Sequence, residues 1–411
     1  MIDGEAGTRT LRRGFRRAER RRTVRALLLV LPLFAFLLVA FLAPIARMLE
    51  RSIEDPEMGE AMPATAAALR AWPGGGQPPQ DVAAAFIAEL PKATEAKTLA
   101  SVAQRLNHDV SGMRSLILAT GRAVRTDPPT GDPLAALKVI DGRWAEAGTW
   151  AAMRRAAFPL TDFFLLSALD LDRDANGDIV RLPAAEGVFT AILIRTLVIS
   201  LGVTLLCLIL GFPVSYLLST TPPRIAGLLM ILVLLPFWTS LLVRTSAWVI
   251  ILQNEGILNG LMLGLGLADR PIPMIFNRFG VYVAMTHVLL PFMVLPLYSV
   301  MQGIPPSSLR AAASLGAPPW KAFVRVYLPQ AAPGIAAGCL LVFILALGYY
   351  ITPALVGGAD DQMISYFIAF YTSRSVNWGL AAALAALLLG ATAILYAVYT
   401  RLAGSGGPKF G

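Results

Sequence analysis

Apolar residues in this chain come in long blocks rather than in short alternating runs. Residues 27–45, 197–218, 225–243, 279–301, 331–355 and 378–399 contain no Asp, Glu, Lys or Arg. Each block is about 19 residues or longer, enough for a helix to cross a hydrocarbon core roughly 30 Å thick. The pattern predicts an all-α polytopic membrane protein with six transmembrane helices. Pro213 is expected to kink the second, and Pro236 falls within the third.

Between the first and second blocks the pattern changes. Residues 48–187 carry charges of both signs, and helix-period spacing at 81–90, 98–106, 113–124 and 144–157 predicts a small, mostly helical insert. Residues 72–79, WPGGGQPP, read as a linker inside it. Residues 172–178, DRDANGD, fit the opening of a calcium loop, but Pro183 stands where such a loop needs its twelfth-position Glu. Asn176-Gly177 between short apolar stretches also fits a tight hairpin turn, which is the expectation here. The resulting plan is a basic segment 1–26, a first helix 27–47, the insert 48–187, a five-helix core 188–402 with a loop at 303–330, and a tail 403–411.

Composition agrees with a membrane protein: 56% of residues are hydrophobic and 15% charged, with a mean hydropathy of +0.63. The net charge of +9 does not point to nucleic acid, because arginines from Arg9 to Arg25 crowd before the first block with no aromatic interleaving. Such a cluster is retained on the cytoplasmic side, which places the N-terminus inside and, after six spans, the C-terminus inside as well. The insert then lies outside; long loops cross regardless of their charge. The first block exceeds the ~7–15 residues of a signal-peptide core and no clear cleavage site follows, so an uncleaved helix is expected. Cys207 and Cys339 both fall in apolar runs and read as small buried hydrophobes. There is no zinc spacing and no GxxxxGK[ST] phosphate loop, so this chain is not expected to bind a cofactor or hydrolyse nucleotide itself.

The loop after the fourth block reads LRAAASLGAPPWKAFVRVYLPQAAPGIAAG from Leu309 to Gly338. It is helix-compatible on both sides of Gly316-Ala317-Pro318-Pro319. Ala311 and Ala312 allow close approach, Gly316 permits a positive φ, and Pro318 suits the start of the second helix. An ordinary cytoplasmic connection would also fit. These residues, however, resemble the EAA loop of binding-protein-dependent ABC importer permeases at Ala311, Ala312, Leu315, Gly316, Trp320, Phe323, Val326, Leu328 and Pro329. Arg310 stands where that family carries Glu. The resemblance implies a type I permease fold and docking of this loop onto a dimer of cytoplasmic ATPase subunits that use the ATP. It also implies a second permease subunit and a periplasmic solute-binding protein as partners, all assembled in a bacterial inner membrane. An arginine near a helix start opposes the helix dipole by roughly 0.3–1 kcal/mol when exposed, so Arg310 needs a partner or solvent.

Further words resemble the spermidine/putrescine-type branch of that family: PFWTS at 236–240, VRTSAW at 243–248, NEGILN at 254–259 and YITPALVGG at 350–358. The last five spans hold very few ionisable groups, so a solute path is expected to use aromatic, hydroxyl and backbone groups, with Trp238, Thr239, Arg244, Trp248, Tyr349, Tyr350 and Thr352 as candidates and Glu255, Asp360 and Asp361 as carboxylates at the outer mouth. A polyamine wants carboxylates for its ammonium groups and aromatic faces for cation–π contact; the same aromatics could equally form an interfacial belt. His287 is either a hydrogen-bonded packing residue or a proton relay. Importers of this kind take specificity mainly from the binding protein, so an opine, a sugar or an anion remains an alternative cargo. An ion-coupled secondary transporter would need mid-membrane carboxylates or inverted repeats, and neither is visible.

Overall fold

The computed structural model describes residues 28–173, 178–183 and 187–404. Five helices are long and apolar enough to cross a membrane: Leu28–Arg51, Phe189–Thr220, Arg278–Gln302, Pro319–Gly348 and Trp378–Arg401. They are the first, second, fourth, fifth and sixth spans. The architecture is the all-α membrane fold expected from the pattern, and the second span runs as one helix through Pro213.

The third span differs from expectation. It is two helices, Pro223–Trp238 and Leu241–Gly264, bent by 96°. Pro236 offers no N–H, and Leu235–Trp238 tightens to a 3₁₀ turn. Thr239 and Ser240 are then extended, with ψ of 145° and 143°, so the intrahelical ladder stops and restarts at Leu241. Counted as one broken span, this pair completes six.

The fifth span also differs: it begins at Pro319, well before residue 331, and ends at Gly348. A π-helical turn at Phe323–Tyr327 re-registers the ladder just before Pro329, where a donor is missing. Leu328 and Pro329 therefore belong to the span, and Tyr349, Tyr350 and Thr352 lie beyond its end. Two short helices not anticipated from the pattern follow, Ile351–Val356 and Ile364–Ser373.

The second, fourth and fifth spans form the heart of the membrane part. Ile199, Val203 and Cys207 meet Ala284, Met285, Leu289 and Met293, and Ala331, Val342 and Ala346 close the cluster. Lipid tails are as apolar as leucine, so helices associate through close packing of small residues. Gly338 shows this: an added Cβ would lie 2.7 Å from Met293 Sδ. By contrast, none of the first span's most apolar window is buried.

The insert has its own core, centred on Phe86, Trp144 and Trp150 with ring centroids 5.0–6.3 Å apart. Both indole N–H groups are satisfied, Trp144 Nε1 donating to Thr120 Oγ1 and Trp150 Nε1 to the Trp144 carbonyl, each at 2.9 Å. Helices Gln80–Glu95, Leu99–Asp109 and Met113–Thr126 match the predicted ones within a few residues. Trp144 lies not in a helix but in a 3₁₀ turn capped by Asp141, and helix Ala147–Ala156 follows. Strands Leu171–Arg173 and Ile179–Arg181 pair antiparallel, as the hairpin reading expects. The tip at 174–177, on which the cation reading depends, lies outside the described residues.

Candidate functional site

The hook between the fourth and fifth spans is built by one helix ending and another starting. Helix Pro306–Ser314 closes with Ala317 N–H bonded to the Ala312 carbonyl at 3.0 Å and Gly316 N–H to that of Ala313 at 2.9 Å. Gly316 has φ +78°. This is a Schellman closure, which needs a left-handed residue at that place. Pro318 then caps the next helix and Pro319, one residue later than expected, is its first residue. The bend leaves Leu315 88% and Trp320 64% exposed, two large apolar side chains on a projecting tip. Arg310 and Ala311 are exposed beside them, Ala312 and Leu328 are half-buried, and Pro329 is exposed.

The base of the hook is anchored by four aromatic rings, of which sequence reasoning singled out only Phe323. Phe212 and Tyr216 of the second span meet Phe323 and Tyr327 edge-on, at centroid distances of 5.9 Å for Phe212–Phe323 and 5.3 Å for Tyr216–Tyr327. Phe323 and Tyr327 stack on each other at 5.6 Å. The available signal was the four-residue spacing on both segments, which puts each pair on one helix face.

The path candidates separate into groups. At the break, Arg244 Nη2 donates to the Thr239 carbonyl at 3.0 Å, while Trp238 is 86% exposed. One turn further, Trp248 Nε1 donates to His287 Nδ1 at 3.0 Å, a bond that suits the packing reading of His287 and leaves Nε2 as its donor nitrogen when the ring is neutral. Thr245 and the fully buried Thr352 meet through their hydroxyls at 3.3 Å. Ser365, on the unanticipated helix, donates to the Tyr349 carbonyl at 2.7 Å; Tyr350 is exposed. Trp248 and His287 help to line a largely apolar cavity of about 480 Å³ between the second, third and fourth spans, with Leu206, Tyr282 and Thr286.

Of the three carboxylates expected at the mouth, that of Asp361 is already engaged. Asp361 is buried, and its Oδ1 accepts from Arg278 Nε at 3.0 Å while Oδ2 accepts from the Gly358 N–H at 3.3 Å. The Asp360 carbonyl accepts from Arg195. These contacts tie the loop after the fifth span to the outer turns of the second span and to the start of the fourth. Glu255 is exposed on the turn after Leu252 and is not brought to the others.

Residues 209–404 match the family described as binding-protein-dependent transport system inner membrane component. Spermidine/putrescine transport system permease protein PotB of Escherichia coli K12 is 36% identical over 216 residues, 53% of this chain and 78% of that relative. The chain belongs to this permease family. Similar relatives include PotB of Haemophilus influenzae, 37% identical over 198 residues, 48% of this chain and 69% of its own. The molybdenum transport system permease protein ModB of Azotobacter vinelandii is 30% identical over 177 residues, 43% of this chain and 76% of its own. Among solved structures, a bacterial alginate ABC transporter in complex with an alginate-bound periplasmic protein aligns at TM-score 0.42 and 19% identity, over 52% of this chain and 77% of the other. The family match includes the broken third segment, the hook and the sixth span of this permease, and begins well after the insert.

Proposed function

We propose that this permease is one of two pore-forming subunits of an ATP-driven, binding-protein-dependent importer of polyamines, spermidine and putrescine being the leading cargoes. The observation that carries the cargo reading is the 36% identity to spermidine/putrescine permeases over three-quarters or more of their length. The projecting Leu315 and Trp320 tip suits insertion into a groove on a cytoplasmic ATPase subunit, and Arg310 and Ala311 beside it are free to contact that partner. In this reading both termini and the hook are cytoplasmic and the insert is outside, facing the binding protein. ATP-driven closure of the ATPase dimer pushes the hooks, the aromatic clamp at Phe323 and Tyr327 carries the motion into the second and fifth spans, and the pore turns outward. This chain makes no bonds in the cycle and holds no nucleotide.

One observation favours a second reading, a small anionic or neutral cargo. Arg244 puts a cation at the break, and Asp361 is committed to Arg278, which leaves Asp360, Glu255 and the aromatic faces as the recognition groups for a polyamine. The experiment is ATP-dependent uptake of labelled spermidine, putrescine and molybdate into vesicles holding the permease with its sister subunit, ATPase and binding protein. Saturable polyamine uptake, lost when the ATPase is omitted, supports the first reading. Uptake of another solute alone transfers support to the second, and uptake that survives without the ATPase overturns both.

A further inference from the structure

The insert presents two different surfaces. Among the described residues from 54 to 157, Val139 is the only exposed large apolar side chain, as suits a body surrounded by water. Just outside that stretch the pattern reverses. Leu160 is 65% and Ile179 55% exposed, and Ile53, Phe158, Leu169 and Val180 are exposed with them.

These residues sit where the spans emerge. Leu160 pairs antiparallel with Glu54, just beyond the end of the first span. The Thr161 N–H donates to the Ile53 carbonyl at 2.7 Å and the Asp55 N–H to that of Pro159 at 3.0 Å. The first span has 24 residues, a rise of about 36 Å against a hydrocarbon core of roughly 30 Å, so its last turn reaches the headgroups. The hairpin carrying Ile179 and Val180 leads directly into the second span. Its Leu182 N–H donates to the Asp170 carbonyl at 3.0 Å, and the Asp170 carboxylate accepts the Phe189 N–H at that helix start. Between the two segments, Phe164 packs against Gly379 at the start of the sixth span. The apolar exposure is thus confined to a foot that is continuous with three spans.

Beside the foot lies a groove of about 420 Å³, lined by Phe158, Leu160 and Leu166 and by Arg154, Arg155 and Arg173. Asp162 and Asp172 complete its charged lining. Arg173 Nε is bound to Asp162 at 3.0 Å, and Arg155 is paired with Asp109 at 3.2 Å. Arg154 and Asp172 are different: among the described residues neither has an ion pair, with each other or with any other group. Arg154 Nε donates to the Trp72 carbonyl at 2.8 Å and its guanidinium lies 5.8 Å from the Phe158 centroid, which leaves its Nη groups for another acceptor. One unpaired cation and one unpaired anion, set beside apolar side chains, match a headgroup that carries both charges above acyl chains.

We propose that this foot rests in the headgroup layer of the bilayer, and that the groove beside it holds an amine-bearing zwitterionic phospholipid. Arg154 takes the phosphate, Asp172 the ammonium group, and Phe158 and Leu160 the start of the acyl chains. The insert is thereby held to the membrane surface at a second place besides its chain connections to the spans.

The test requires neither a topology nor transport. Nitroxide labels are attached to Leu160→Cys, Ile179→Cys and, as reference, Val139→Cys, each in the full chain carrying Cys207→Ala and Cys339→Ala. The chain is held in nanodiscs of phosphatidylethanolamine and phosphatidylglycerol. The first two labels are expected to relax more with oxygen, which dissolves in lipid, than with a water-soluble nickel chelate, and the Val139→Cys label to show the reverse. Labels at the foot that behave like the reference, or that are shielded only after a soluble binding protein is added, overturn the proposal. The chain with both native cysteines gives a second measurement, the phospholipid retained in native mass spectrometry after extraction from the same mixture. Phosphatidylethanolamine is expected to be the retained lipid. Arg154→Gln is expected to hold about fivefold less of it, the share of one arginine at a lipid headgroup, and Asp172→Asn to lose the preference for the amine. Unchanged retention in Arg154→Gln, or a native chain that prefers phosphatidylglycerol, overturns the assignment of the groove.

Discussion

Asp170 caps the second span from outside its helix: Oδ1 accepts the Phe189 N–H at 2.8 Å and Oδ2 accepts the Thr190 N–H at 2.8 Å. The carboxylate is 2% exposed and faces the positive end of a 32-residue helix. Its backbone has φ +58°, a conformation that Asp and Asn tolerate better than most residues. Asp170→Ala removes the acceptor and strains the backbone, and is expected to lower stability by about 1–2 kcal/mol. Asp170→Asn keeps one acceptor and the tolerated conformation, and is expected to lose less. Thermal midpoints of the two purified variants check the order, and equal losses would contradict the cap.

The joint between insert and core depends equally on a missing side chain. Gly379 lies against Phe164, with which Leu380 and Leu384 of the sixth span also cluster. Gly379→Ala is expected to destabilise by about 1–3 kcal/mol through overpacking. Phe164→Leu in the same molecule makes room and should recover part of that loss. A double-mutant cycle on thermal stability measures the coupling, and strictly additive losses would show that the two residues do not oppose each other.

Trp248 and His287 allow the relay reading to be tested. The imidazole accepts the indole N–H at 3.0 Å, and this bond is worth roughly 0.5–1.5 kcal/mol. His287→Asn keeps an acceptor near the indole but cannot shuttle a proton. Uptake by this variant should stay within about twofold of native and keep the same pH profile, since only a modest bond is altered. A loss confined to one side of neutral pH would instead mark a proton relay.

The membrane fold was legible because spanning helices need long uncharged runs, and 279–301 and 378–399 agree with Arg278–Gln302 and Trp378–Arg401 almost to the residue. The break in the third span was not, because Pro236 announces a kink while the 96° bend depends on the backbone of Thr239 and Ser240, residues that look ordinary in sequence. The fifth span's early start was hidden by Lys321, Arg325 and the prolines, which interrupt the apolar run without ending the helix. Long-range partners were also invisible: Arg278 and Asp361 lie 83 positions apart, and only folding brings the loop after the fifth span back to the start of the fourth. The local chemistry of the hook was readable, since a left-handed closure at Gly316 is encoded within a few residues.

That closure supports the last prediction. Gly316 has φ +78° and open space around it, so a side chain there meets strain rather than a clash. Gly316→Ala is expected to cost about 1 kcal/mol locally, and Gly316→Asn less because Asn tolerates the left-handed region. Global stability should hardly move, because the hook tip is exposed and the spans are packed elsewhere. The strain instead re-aims Leu315 against Trp320. In the reconstituted importer, solute carried per ATP hydrolysed should therefore fall most in Gly316→Ala, less in Gly316→Asn, and with little change in the thermal midpoint of either. Unchanged coupling in Gly316→Ala would mean that the angle of the hook does not matter to the ATPase, and would remove the mechanical role assigned to it.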